Sequence, residues 1–377
     1  MRRCSHCGFP LVFARTTQWH SDGTITASMG IRLPFMFMAV DERESIFNSL
    51  SEKIGFPIEH IFIQAQKNVG KELFELVRTM YGNVDPRRIP NSRLLRPQWL
   101  AKLIVRALRN QLASSGIGRV SVESYRAGEH LHFRVANPSL IPAVVGNLMG
   151  IYELVEMMPR ARADYSIERG DLIVRLTHDC TNPESENRLY LEEVRPRTGP
   201  LHYQLCPGCG VPSKIGRSLI WDLHRGIVVN LDSGEREGMV AVQSISATVR
   251  ELATELGDEV LDILYEAQKA YTGERLRRRS WPEDPGEFWE AYLTDLALRG
   301  QGYPGRFERG HDRLSVEIAN AYEQNLYAAK LAAGLEMLTG RGTRIEWSAR
   351  ERHLGRFVIR ATSEASKTGK QFPTKSG

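Results

Sequence analysis
Two segments, CSHCGFP (Cys4 to Pro10) and CPGCGVP (Cys206 to Pro212), share both cysteines, a glycine and a proline at a spacing of 202 residues. The spacing persists beyond them. Trp19 falls on Trp221, Leu50 on Leu252, Gly55 on Gly257 and Ile61 on Ile263. The run Ala65-Gln66-Lys67 falls on Ala267-Gln268-Lys269, and with small gaps Gly30-x-Arg32 falls on Gly234-x-Arg236. The spacing then shortens by about 19 residues. At the shorter spacing Gly116-x-Gly118 meets Gly300-x-Gly302, Leu131 meets Leu314, and Ala136-Asn137 meets Ala319-Asn320. Finally LIVRLT (Leu172 to Thr177) meets FVIRAT (Phe357 to Thr362). Collinear identities that include Cys and Trp read as an internal duplication, and a duplication fixes the architecture before any single element is assigned.

The expected organisation follows. Copy one covers 1–180, with a knuckle region 1–40 and a helix and sheet domain 41–180. A linker, 181–203, leads to copy two at 204–363, with its knuckle region at 204–243 and its domain at 244–363. The tail, 364–377, lacks apolar periodicity and is expected to be disordered. Two tandem copies are expected to pack as a pseudo-twofold pair, as homodimers do.

A Cys-x-x-Cys-Gly pair is the knuckle of a zinc ribbon, in which the glycine permits the tight turn that aims backbone N–H groups at the sulfurs. A tetrahedral site needs four ligands. Under a pseudo-twofold axis, Cys4, Cys7, Cys206 and Cys209 would supply them to one shared site. The rival is two separate sites completed by His6, His20, Cys180 or His224; against it, Asp222 replaces His20 in copy two. The chain holds five cysteines, four of them in the two pairs, a pattern of metal or redox chemistry in a reducing, cytoplasmic compartment. Zinc is the first expectation for a structural site, while iron suits the same four thiolates. A thioredoxin-type use of CPGC would need its first cysteine at a helix N-terminus, and a strand-like stretch is expected there.

Within copy one, the segment after the knuckle reads as a hairpin turning at Asp22-Gly23, and RLPFMFMAV reads as a further strand. From about Glu42 apolar residues recur three and four apart, giving two helices broken near Gly55 and ending near Tyr81. Asn83 to Pro97 reads as a loop and Trp99 to Ser115 as a helix stopped by Gly116-x-Gly118. A hairpin about Ala127-Gly128, a helix from Leu140 to Leu154 and a hairpin about Arg169-Gly170 complete the copy. Copy two repeats the plan, with its last strand pair from Arg344 to Thr362. The fold class is therefore α+β: a tandem repeat, each copy with a zinc-ribbon-like knuckle and hairpin, a helical layer and a small antiparallel sheet.

The order of two helices around Gly55, a helix ending in Gly-x-Gly, the strand LHFRVANP and a helix carrying Gly146 and Gly150 resembles the 4-vinyl reductase domain family. Its members are also described as hydrocarbon-binding domains. The resemblance covers about Asp41–Thr177 and, more weakly, Ser244–Thr362. It implies an α+β module that binds a small molecule or serves as a regulatory scaffold. The family's C-terminal cysteine cluster is missing from ARADYSIERGDLIVRLT, so the family's own metal site does not carry over.

Other signals point less far. Arg32 and Arg236 are candidates for gripping an anionic group, or for pairing with a carboxylate where the copies meet. Trp19 and Trp221 are candidates for lining an apolar pocket, or for packing over the knuckles. The histidines form no constellation, and no Ser-His-Asp or paired-carboxylate motif is visible. The longest early apolar run, Leu33 to Val40, is far shorter than the ~20 residues a membrane span needs. Net charge is +5. The basic runs, Arg87 to Arg109 and RLRRR (Arg275 to Arg279), read as solvated faces; they permit nucleic acid without favouring it. The expected function is non-catalytic binding or sensing of a small, largely apolar molecule. A metal-dependent or redox enzyme is the alternative, and a zinc-ribbon nucleic-acid-binding protein a further one.

Overall fold
The computed structural model of the chain describes residues 2–28, 32–80, 109–110, 112–126, 128–156, 160–179, 196–310, 312–351 and 354–365. The loop expected at 83–97, most of the helix expected from 99, Cys180, most of the linker and residues 366–377 lie outside them.

The apolar run RLPFMFMA forms strand β3 (Arg32–Ala39), buried from 33 to 39. Such a run suits a strand covered on both faces. On one side β3 pairs with β2 (Ile25–Ser28), which pairs with β1 (Thr17–Trp19). On the other it pairs with β10 (Arg236–Ala241), followed by β9 (Ile227–Asn230) and β8 (Leu219–Asp222). The six-stranded antiparallel order is β1-β2-β3-β10-β9-β8. First-half and second-half strands thus meet at one seam, β3 against β10. Phe37 faces Met239 at the middle of that seam, and the register runs symmetrically away from this pair.

Beyond β3 come α2 (Val40–Ile54) and α3 (Glu59–Met80). Gly55 ends α2 in the left-handed region at φ 77°, its N–H donating to the Ser51 carbonyl at 3.1 Å. Next is a sheet of β4 (Arg119–Arg126), β5 (His130–Ala136), β6 (Ala161–Glu168) and β7 (Asp171–His178), with α4 (Ile141–Glu156) packed on it. Its order is β4-β5-β7-β6. The second half holds α6 (Val242–Leu256), α7 (Glu259–Arg277) and α8 (Pro285–Leu298), the strands β11 (Tyr303–Arg309) and β12 (Arg313–Ala319), α9 (Gln324–Thr339), then β13 (Arg341–Glu351) and β14 (Leu354–Ala365). The order of this sheet, β11-β12-β14-β13, follows the same pattern. Helices also cross between halves: α2 packs on α7, and α3 on α6.

Four expectations need correction. Leu11–Thr16 is a short helix, α1, and Ser213–Ser218 is another, α5, where hairpin or strand was expected. Each knuckle closes through a bridge, Arg3 to Pro10 and Leu205 to Pro212, and the Pro10 and Pro212 carbonyls then accept from the N–H groups of Ala14 and Gly216. This starts a helical turn that apolar periodicity over six residues cannot reveal. The last strand pair begins at Arg341 and runs to Ala365, so 364–365 belong to a strand. Finally, RLRRR is not wholly a solvated face. Arg275 and Arg279, four apart on one side of the α7 end, turn inward to Glu235, Glu237 and Asp295.

Candidate metal centre and interior cavity
Each knuckle is built by its own backbone. The Cys4 and Cys206 N–H groups donate to the Phe9 and Val211 carbonyls at 2.8 Å. The Gly8 and Gly210 N–H groups return to the Cys4 and Cys206 carbonyls at 2.9 and 2.8 Å. Both glycines sit in the left-handed region, at φ 75° and 76°, a conformation in which a side chain is strained.

The two knuckles face each other. Sγ of Cys4 lies 3.8 Å from Sγ of Cys206, and Sγ of Cys7 lies 3.5 Å from Sγ of Cys209. All four sulfurs fall within 4.8 Å of one another. Four thiolates about 2.3 Å from one zinc ion stand about 3.8 Å apart in tetrahedral geometry, so the cluster fits a four-coordinate ion. Cys4 and Cys206 are buried, while Cys7 and Cys209 are half-buried. Burial pushes the Cys7 and Cys209 thiols up. Burial also opposes ionisation of Cys206, but N–H groups of Gly208 and Cys209 and the neighbouring thiols outweigh it and bring that thiol down to about 7. The arrangement tolerates little extra volume. A Cβ on Gly208 would stand 2.8 Å from the Cys4 sulfur and 2.5 Å from the His6 ring.

Helix α5 starts seven residues after Cys206, so neither cysteine of CPGC caps a helix N-terminus. The thioredoxin arrangement is therefore absent, although a helix does follow. His6, His20 and His224 supply no nitrogen to the cluster. His20 instead meets the Thr26 hydroxyl at 2.7 Å.

The tryptophans bind the halves to each other. Trp19 donates its indole N–H to the Leu298 carbonyl at 3.1 Å, and Trp221 donates to the Ser114 carbonyl at 3.0 Å. Both rings also pack edge-on against Phe9 of the first knuckle. Arg236 feels the Glu44 and Asp41 carboxylates of the other half, which favour its charge against burial. Its guanidinium donates to the Asn137 and Gly116 carbonyls at 3.0 and 3.4 Å. The side chain of Arg32 lies outside the described residues.

No family model and no curated protein matches the chain. What it does must be read from its own geometry.

Behind the seam, α3, α4, β10 and the start of α6 line a partly open cavity of about 90 Å³. Its walls are mainly apolar, among them Phe35, Val144, Ile151 and Met239. Gln66, Asn147 and Ser244 form a hydrogen-bonded polar edge: Ser244 donates to Gln66 Oε1 at 3.0 Å, and Asn147 donates to the same oxygen at 3.3 Å. Ser139 also lines the cavity, and its buried hydroxyl has no partner among the described residues.

Sequence reasoning missed the buried charges. Lys330 of the second half sits 2.6 Å from Glu42 of the first and donates to Gln301 at 2.8 Å, all three side chains buried. Nearby, Glu237 pairs with Arg299, which reaches Asp295 at 3.0 Å. Across each helix pair a lysine meets a glutamate: Lys67 with Glu153 at 3.6 Å, and Lys269 with Glu336 at 3.4 Å. The lysines fall within the repeated Ala-Gln-Lys run, which was the available signal for them. Among the described residues, no helix is long and apolar enough to cross a membrane.

Proposed function
We propose that the chain is a tandem duplication folded as a pseudo-twofold pair, fastened at its axis by one zinc ion, and that it binds a small, largely apolar molecule. The observation that carries the ligand reading is the cavity between α3, α4 and β10, apolar in its walls and polar at one edge, the usual make-up of a small-molecule site. The pairing is supported by spacing. The contacts Cys4–Cys206, Cys7–Cys209 and Phe37–Met239 all join residues 202 apart. The Trp19 and Trp221 bonds are reciprocal, each indole reaching a carbonyl in the other half.

The metal would be structural. Four thiolates fill a tetrahedral ion and leave no position for a substrate. Family membership in the 4-vinyl reductase, or hydrocarbon-binding, group is part of this proposal. It rests on the motif order around Gly55, Gly116-x-Gly118, Gly146 and Gly150.

Mass spectrometry of the intact chain under native conditions tests the reading. One zinc per chain together with a co-purified organic molecule supports it. Two metals per chain overturn the shared site. A chain that binds no apolar probe in solution overturns the ligand reading.

A further inference from the structure
The cavity beside β10 has a counterpart, and the two have diverged in a telling way. At the repeat spacings, Ser139 corresponds to Tyr322, Val144 to Tyr327, Asn147 to Lys330 and Ser244 to Glu42. At the counterpart, which Tyr322, Tyr327 and Lys330 of the second half form with Glu42 of the first, these larger side chains are all buried. They also satisfy one another's charge, since the Lys330 ammonium pairs with the Glu42 carboxylate and stands over the Tyr322 ring at 5.3 Å.

The first-half cavity has the opposite composition. At the matching positions it carries the smaller Ser139, Val144, Asn147 and Ser244, and it is lined by one cation, Arg43, whose counterpart is Ile245. No carboxylate among the described residues comes within ion-pairing distance of Arg43. Burial lowers its guanidinium to about 10, and Glu44 offsets this only in part. A half-buried charge without an ion-pair partner is costly. The counterpart meets the same demand with the Lys330–Glu42 ion pair across the two halves, whereas this cavity keeps a cation at the rim of an apolar space.

We infer that the first-half cavity takes one small molecule with an apolar body and an anionic head, such as a short carboxylate, whose counter-charge is Arg43. At the counterpart the Lys330–Glu42 pair, one residue from each half, stands in place of such a ligand. This inference rests on the ligand-binding reading above and adds the ligand's charge and its stoichiometry. Ser139 offers the head group an additional donor.

The test compares isovalerate with its neutral isostere isovaleramide, by ligand-observed NMR titration of the metal-loaded full chain. The acid is expected to bind at one per chain. Arg43→Gln should weaken the acid roughly 10- to 100-fold, as loss of a charge-assisted bond does, and leave the amide unchanged. Arg43→Lys should keep most of the acid's affinity, which separates charge from fold. Val144→Phe, which imitates the counterpart, should abolish binding of both probes. Equal effects of Arg43→Gln on acid and amide would overturn the anionic class. Two acids per chain would overturn the replacement of the ligand at the counterpart. Failure of both probes to bind the wild-type chain would instead overturn the ligand-binding reading itself.

Discussion

Phe37 faces Met239 at the centre of the β3–β10 seam, and Cys4 faces Cys206 at the cysteine cluster; in both pairs the partners stand 202 residues apart. One sheet seam and one sulfur cluster therefore obey one spacing. A metal bound by the four cysteines would clamp the end of the molecule where the two knuckles meet, and β3 with β10 would carry the clamp into the core.

The first prediction concerns that clamp. Cys4→Ser removes one of four thiolates and should cost the bound metal, measured by elemental analysis of the purified chain. Thermal unfolding should shift down strongly, because structural zinc can contribute roughly 10–16 kcal/mol. Protons compete with the metal for thiolates, so metal content should also fall as pH is lowered. A variant that keeps full metal and full stability would rule out a four-cysteine site.

Lys330→Met should be severe for a different reason. It leaves the buried Glu42 carboxylate without its cation, a change that costs about 3–5 kcal/mol. The double variant Lys330→Met with Glu42→Leu should recover much of that loss, since both charges then vanish together. Urea unfolding of the two variants decides it: equal losses would mean that the pair is not coupled.

Close helix contact gives the third. A Cβ at Gly146 would overlap the Ile63 carbonyl, and one at Gly150 the Lys67 carbonyl. Gly146→Ala should therefore lower stability by about 1–3 kcal/mol despite the better helix propensity of alanine. The corresponding second-half residues are Ala329 and Ala333, so α7 and α9 already accommodate a methyl group at these points. Ala329→Gly should show no comparable penalty from crowding, only the loss of helix propensity.

Asp295 supplies a pH dependence. Burial opposes its ionisation, but Arg299 and Arg279 outweigh burial and hold its carboxyl below the ordinary range. A carboxyl depressed in the folded state stabilises the fold above the unfolded value of about 3.9 and loses that contribution as pH falls through the folded value. Asp295→Asn should lower stability near neutral pH. The gap between variant and wild type should narrow in acid, as read from denaturant midpoints at several pH values. A gap that stays constant into acid would deny Asp295 this role.

Much of the plan was legible in the chain. Alternation and helical spacing located β3, the helices on either side of Gly55 and the hairpins about Asp22-Gly23 and Arg169-Gly170. Paired Cys-x-x-Cys-Gly segments named the four sulfurs, because cysteine is rare and its spacing in a knuckle is fixed by one tight turn. The short helices α1 and α5 were not legible, since six residues carry too little periodicity and the proline-closed knuckles nucleate them.

Tertiary structure alone decided the rest. Lys330 finds Glu42 across a sequence separation of 288, a distance at which no local spacing rule applies. The inward turn of Arg275 and Arg279 depends on Glu235, Glu237 and Asp295, which come from two other elements. The cavity beside β10 depends on which side chains converge from both halves. Sequence determined the parts through local periodicity and turn chemistry. Burial, which forces a charge to find a partner wherever the fold brings one, decided that Lys330 meets Glu42 and that Arg299 meets Glu237.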